Sequence, residues 1–280
     1  MKRWIITSME QSNIDQIDDN EEKHLIKKDK EKIEVESSYW DNDHKKNEYD
    51  NVFSITESEK ICQELTKGID ENTKYIIIPG CGSKTNLQRY IVDNYKNIVC
   101  IYCTDYSKNA IKQSIEKYSH PKIKYHIEDT SNLSYEKEKF DLVIISNSIL
   151  SNSDILNRKM IQECHRVLKP KGKLYGFFPS IYCALDIAHL DTRFSHFMTT
   201  GMLNLAKNTF YEKTQGTEQI FYTPLRLNQI FLEASFVRKA FEIQFFDNDY
   251  FKKESERVYG LPKDSGLYVW EILAILEKNT

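Results

Sequence analysis

The sequence predicts an α/β fold, a doubly wound, Rossmann-like parallel sheet with helices on both faces. One observation is the alternation, from Lys74 to Phe178, of short apolar runs with helix-length amphipathic segments; a strand covered on both faces reads as a near-continuous apolar run. The second is Lys74-Tyr-Ile-Ile-Ile-Pro-Gly-Cys-Gly-Ser83, an apolar run ending in Gly-x-Gly. The third lies about twenty residues further on, at Cys103-Thr-Asp105-Tyr-Ser107. A buried strand, a glycine turn into a helix, and an acid at the tip of the next strand form a cradle for an adenosine-bearing cofactor.

Taken in order, residues 1–36 are rich in charge and in Asn and Gln, and read as a charged N-terminal extension. Aromatics appear at Ser38-Tyr39-Trp40-Asp41, and a helix is expected from about Ser58 to Lys67, with Ile61 and Leu65 on one face and Gly68 as its stop. Strand Lys74–Pro79 leads to helix Thr85–Asn94, and strand Ile98–Thr104 to helix Lys108–Tyr118. A short strand, Ile123–Ile127, precedes strand Phe140–Ser146 and helix Ser153–Leu168, which stops at Lys169-Pro170-Lys171-Gly172 before strand Lys173–Phe178. After Pro179 the alternation breaks for about 45 residues rich in Phe, Tyr, His and Met. A helix is then expected over Leu225–Ala234 and strands over Phe236–Phe246 and Leu267–Leu276, the last two joined by a charged connection.

Composition excludes several classes. The 280 residues carry 39 Lys and Arg against 42 Asp and Glu, and the formal net charge of -3 offers neither a nucleic-acid footprint nor a membrane-surface patch. No stretch reaches the length of a membrane span, and the apolar run at Trp4-Ile-Ile is too short for a signal peptide, so the expected location is cytoplasmic. The six cysteines show no disulfide framework and suit a reducing compartment. Cys100-x-x-Cys103 has the spacing of a metal pair but lies in a strand, where the two side chains point to opposite faces; with no second pair to complete four ligands, no metal site is expected.

The chain resembles the class I S-adenosylmethionine-dependent methyltransferases over roughly residues 38–178. Ile-Pro-Gly80-Cys-Gly82 is similar to that family's first glycine motif, Asp105-Tyr-Ser107-Lys-Asn-Ala110 to its acid-x-Ser segment, and Glu128-Asp129-Thr130 to its acidic turn after the third strand. Phe140-Asp141-Leu-Val143 is similar to its fourth strand, and Arg166-Val-Leu168-Lys-Pro170-Lys-Gly172 to the approach to its fifth. Tyr39-Trp40-Asp41 with Pro79-Gly-Cys-Gly82 is similar to branches that include protein-lysine and thiopurine methyltransferase-like enzymes. The resemblance implies a seven-stranded, mostly parallel sheet with one antiparallel strand, a methyltransferase domain over residues 37–280 with a helical lid inserted at about 180–222, and S-adenosyl-L-methionine as cofactor.

It further implies cofactor contacts from Tyr39, Gly80, Cys81, Gly82, Asp105, Tyr106, Asp129, Thr130 and Asn147. The two oxygens of Asp105 can accept from both ribose hydroxyls. Its alternative, a helix N-cap, is open equally to Ser107. Asp129 is the expected partner of the adenine amino group, or a turn former; Gly80 and Gly82 let the backbone approach the cofactor. One departure stands out: the acid often found two residues before the first glycine is Ile78 here, so a contact to the methionine amino group must come from elsewhere, with Tyr39, Asp41 or Asn147 as candidates. Dinucleotide spacing puts Lys84 or Thr85 at the third glycine, against a pyrophosphate site.

Ser146-Asn147-Ser148 lacks the Asn/Asp-Pro-Pro-aromatic pattern of methyltransferases acting on planar nitrogens, which disfavours adenine and glutamine as acceptors. In the lid, His189 and His196 are the candidate general bases, with Asp186 and Asp191 nearby to orient a histidine or hold an amine. The expected partner is a small-molecule acceptor methylated on nitrogen or oxygen, with no nucleic acid or membrane involved and a monomer or homodimer as the working form. The alternatives are methylation of a protein lysine or terminal amine, and use of the same cofactor for cyclisation or aminocarboxypropyl transfer.

Overall fold

The computed structural model describes residues 41, 54–190, 203–212, 217–246, 248–249, 252–253 and 269–279. Tyr39, Trp40, the extension at 1–36, Asp191 and His196 lie outside the described residues. A 3-10 turn at Ile55–Glu57 leads into α1 (Glu59–Thr66), which buries Ile61, Cys62, Leu65 and Thr66 on one stripe. Gly68 then brings the chain against the Tyr175 ring so closely that a Cβ would sit 2.3 Å from a ring carbon.

Strands and helices then alternate as expected: β1 (Tyr75–Pro79), α2 (Asn86–Asn94), β2 (Cys100–Asp105), α3 (Lys108–Lys117), β3 (Ile123–Ile127), β4 (Phe140–Ser146), α4 (Asp154–Val167) and β5 (Leu168–Pro179). The inner strands are mostly apolar because helices cover both faces; β2 is buried at all six positions, including Cys100 and Cys103. All six cysteines are free thiols, and burial pushes those of Cys62 and Cys164 up to about 12.

Two motif residues hold the edge of the sheet away from the strands' carboxyl ends. Asp141 accepts from the Lys74 and Tyr75 amides at 2.9 and 2.8 Å and pairs with Lys169 at 2.6 Å, anchoring the start of β1 to β4. Arg166 donates to the carbonyls of Tyr135 and Leu133 at 2.7 and 2.9 Å, fixing the loop between β3 and β4.

After β5 come α5 (Ile181–Leu190), β6 (Leu203–Asn204), β7 (Thr209–Glu212), β8 (Thr217–Ile220), α6 (Pro224–Glu233), β9 (Phe236–Phe245) and β10 (Trp270–Lys278). The seven-stranded sheet has the order β3-β2-β1-β4-β5-β10-β9, with β10 antiparallel to both neighbours and the β1, β2, β3, β4 and β5 pairings parallel. The sequence order reverses between β1 and β4, and a crevice opens outside the strand ends at such a switch point.

The insertion differs from an all-helical cover. It supplies α5 and a separate antiparallel sheet of β6, β7 and β8. Thr209, Phe210 and Tyr211 favour a pleated surface over a helix, since β-branched and aromatic side chains lose rotamer freedom in a helix. Its two ends lie side by side: the Tyr222 amide donates to Pro179 O at 2.9 Å and the Ile181 amide to Tyr222 O at 3.1 Å. The buried Tyr222 hydroxyl donates to Ile149 O at 2.7 Å, tying this neck to the loop after β4.

Candidate functional site

At the carboxyl ends of β1 and β2, Gly80 and Gly82 adopt φ values of +64° and +60°, a left-handed region that strains any residue with a Cβ. Gly80 is doubly constrained, because a Cβ there would lie 2.3 Å from Ser148 Cβ. Ser148 is locked in place by donating to Pro79 O at 2.6 Å. Cys81 donates its amide to Thr104 O at 2.9 Å, so the turn continues the β1–β2 ladder and folds over the end of β2.

Asp105 closes this turn. Its Oδ2 accepts from the Gly82 amide and its Oδ1 from the Ser107 amide, each at 2.9 Å. Burial pushes its carboxyl up to about 6, against the downward pull of those two amides. Each oxygen accepts from one of these two amides, and the Tyr106 amide adds a smaller downward pull. Ser107, not Asp105, is the N-cap of α3, accepting from the Ala110 amide at 3.1 Å. That leaves Asp105 available to a ligand.

Around this cradle, Ser83 Oγ and Thr104 Oγ1 are buried without hydrogen-bond partners. Tyr106, half-buried, follows Asp105, and Ile127, paired in register with Asp105 on β3, is 52% exposed. The paired acceptor oxygens, the Cβ-free turn and an apolar side chain on the neighbouring strand fit an adenosine moiety. Asp129 holds Ser131, accepting from its amide and hydroxyl on Oδ1, both at 2.8 Å, and Thr130 beside it is buried. Asp129 thus shapes the loop after β3.

Asp41 is engaged at the start of α3. Its Oδ1 accepts from Ser107 Oγ at 3.0 Å and from the Asn109 amide at 2.9 Å, so its charge sits at the N-terminus of α3, where the helix dipole favours it. Asn147 stands just past β4 at φ +54° and donates through Nδ2 to Glu271 Oε1 at 2.6 Å. Glu271, on β10, is a partner that the sequence did not single out. His189 lies on the last turn of α5, exposed, with Nδ1 2.8 Å from Leu185 O. A carbonyl only accepts, so Nδ1 is the donor in this contact and Nε2 is the nitrogen turned away from it. Asp186 accepts from the Trp270 indole at 3.2 Å.

Among the described residues no group of three His, Cys, Asp or Glu could hold a metal ion, and no helix is long and apolar enough to cross a membrane.

Residues 78–176 match a family model described as "Methyltransferase domain". Comparison with curated proteins gave no match. Among solved structures, the chain is similar to an S-adenosylmethionine-dependent methyltransferase from Methanosarcina mazei, at 17% identity over 79% of this chain and 98% of that one, with a TM-score of 0.57. It is similar to the [4+2]-cyclase SpnF at 14% identity, covering 79% and 81% with a TM-score of 0.53. It is also similar to the N-methyltransferase NodS from Bradyrhizobium japonicum in complex with S-adenosyl-L-homocysteine, at 13% identity, 81% and 89% coverage and a TM-score of 0.50.

Proposed function

We propose, on the premise that this chain belongs to the class I S-adenosylmethionine-dependent methyltransferase superfamily and takes S-adenosyl-L-methionine as its cofactor, that it methylates a nitrogen or oxygen of a small organic molecule. The observation that carries this reading is the clamp of Asp105 between the Gly82 and Ser107 amides, which presents two carboxylate oxygens beside a glycine turn. Bound there, the cofactor supplies a methyl group on a sulfonium sulfur. The residues of the chain then have three tasks: to hold the ribose, to align the acceptor and to exclude water.

Asp105 serves the first, with Gly80 and Gly82 allowing close approach of the backbone. The insertion after β5 serves the others, because α5 starts at the carboxyl end of β5, on the β4 side of the switch point and away from the adenosine cradle at β2. His189 and His196 are the proposed proton acceptors there. Incubation of the purified protein with S-adenosyl-L-methionine and a metabolite extract, read by mass spectrometry, tests the assignment: methyl transfer releases S-adenosylhomocysteine together with a product heavier by one CH2.

A second reading, chemistry other than methyl transfer, is favoured by the buried Ile78 where an acid often stands and by the likeness to a cyclase. It predicts release of methylthioadenosine, or turnover with the cofactor unchanged, in that same experiment.

A further inference from the structure

Two buried oxygens near the glycine turn have no donor. Asn147 gives its Nδ2 to Glu271 Oε1, and this leaves Asn147 Oδ1 and Glu271 Oε2 without a hydrogen-bond partner. Glu271 is 6% exposed and sits in the otherwise apolar stretch Trp270-Glu-Ile-Leu-Ala-Ile-Leu276. A buried carboxylate with a single bond is costly unless a cation completes it. Among the described residues no cation does so: burial, against the opposing pull of the Asn147 bond, pushes its ionisation up to about 8. The neighbouring titratable groups on α5, Cys183 and Asp186, bring no positive charge; the Cys183 thiol is itself pushed up to about 12, mainly by burial and further by Glu271.

Position decides what the missing donor is. The strand order runs β2-β1-β4, and Asp105 at the end of β2 marks the ribose side. A cofactor lying across the glycine turn at β1 directs its other end to β4, where Asn147 stands and where its neighbour Ser148 packs on Gly80. That end carries an α-ammonium, and the position two before the first glycine, from which an acid would meet it, is the apolar Ile78. Asp41 is engaged by the Asn109 amide at the start of α3 instead. With Glu271 ionised, as a bound cation would hold it, two acceptors side by side with no donor between them match a group with three N–H bonds and a positive charge, and repel a carboxylate.

We infer that Glu271 and Asn147 form the site for the α-ammonium of the cofactor's methionine moiety, in place of the acid that Ile78 replaces. This rests on the cofactor assignment above, and the test separates the two. S-adenosyl-L-methionine and 5′-methylthioadenosine, which shares the adenosine but lacks the amino acid, are titrated calorimetrically into the wild type and Glu271→Gln. Binding of neither compound to the wild type would defeat the cofactor assignment itself.

With wild-type binding established, the expected result is about a tenfold or greater loss of S-adenosyl-L-methionine affinity in Glu271→Gln, with 5′-methylthioadenosine affinity unchanged. Unchanged affinity for both overturns the inference and leaves the carboxylate to the acceptor or to packing; an equal loss for both overturns it as a general structural effect. Asn147→Gly removes Oδ1 while keeping a residue tolerant of φ +54°, and should show the same selective loss, smaller in size. It carries the test if Glu271→Gln does not fold.

Discussion

The Gly82 amide donates to Asp105 Oδ2 at 2.9 Å, so the turn after β1 and the tip of β2 are a single preformed unit before any ligand arrives. A carboxylate placed this way serves the protein through its bonds to the Gly82 and Ser107 amides, and in the proposed function serves the cofactor ribose as well.

Removing it should therefore cost both folding and binding. Asp105→Ala leaves two buried amides without an acceptor, at roughly 1–3 kcal/mol each, and should lower the melting temperature. Calorimetric titration of the folded variant should show S-adenosyl-L-methionine affinity reduced by more than about tenfold, from the loss of charge-assisted bonds. Wild-type affinity in a folded variant would remove Asp105 from the site.

Gly80→Ala should be more damaging than a glycine substitution at an ordinary turn. The φ of +64° costs on the order of 1 kcal/mol or more for a non-glycine residue, and the new Cβ meets Ser148 at 2.3 Å. The double variant Gly80→Ala with Ser148→Gly relieves the collision but not the dihedral strain, so denaturant unfolding should report a partial recovery. Full recovery would mean that φ relaxes freely.

The pH dependence of stability has a defined sign. Glu271 is raised from 4.5 to about 8 and Asp105 from 3.8 to about 6, so the folded protein holds protons that the unfolded chain has released. Stability is thus greatest below the unfolded values and declines as pH rises, through about 6 for Asp105 and about 8 for Glu271. Glu271→Gln should flatten the upper part of this decline and melt higher than the wild type above pH 8. Parallel melting curves for the two proteins from pH 5 to 9 would show that Glu271 ionises normally.

His189→Ala is expected to lower turnover by about 10²- to 10⁴-fold with cofactor affinity unchanged, as loss of a general base does. Wild-type turnover in both His189→Ala and His196→Ala from roughly pH 6 to 9, the range in which a histidine base titrates, would leave catalysis to alignment alone.

Much of the fold was legible because parallel strands declare themselves. Ile76, Ile77 and Ile78 are apolar in succession since both faces of β1 are covered, and Gly80 and Gly82 flag a turn that no other residue makes cheaply. Asp105 was legible by its place at a strand tip. Other features depend on contacts remote in sequence. Glu271 meets Asn147 across 124 residues, and its burial follows from β10 lying between β5 and β9, which no local pattern around Trp270 reveals. Asp41 looked equally suited to a ligand; only the approach of Asn109, 68 residues away, engages it at the start of α3. The aromatic insertion lacked a clean period of either kind, and its small sheet emerged from strand pairing between Thr209–Glu212 and Thr217–Ile220.

The neck at Ser180 and Tyr222 bears on how such a chain can diversify. Because the backbone leaves and rejoins the scaffold at adjacent points, the segment between them spans almost no distance as far as the sheet is concerned. Added or lost residues there change neither the register of β5 nor the start of α6, and the entropic cost of a longer excursion grows only logarithmically. The buried Ile181 and Tyr222 are the fixed footing, and what stands on it is an exchangeable cassette: if the insertion covers the acceptor as proposed, its length and lining can be redesigned by grafting while the glycine turn at β1 stays as it is.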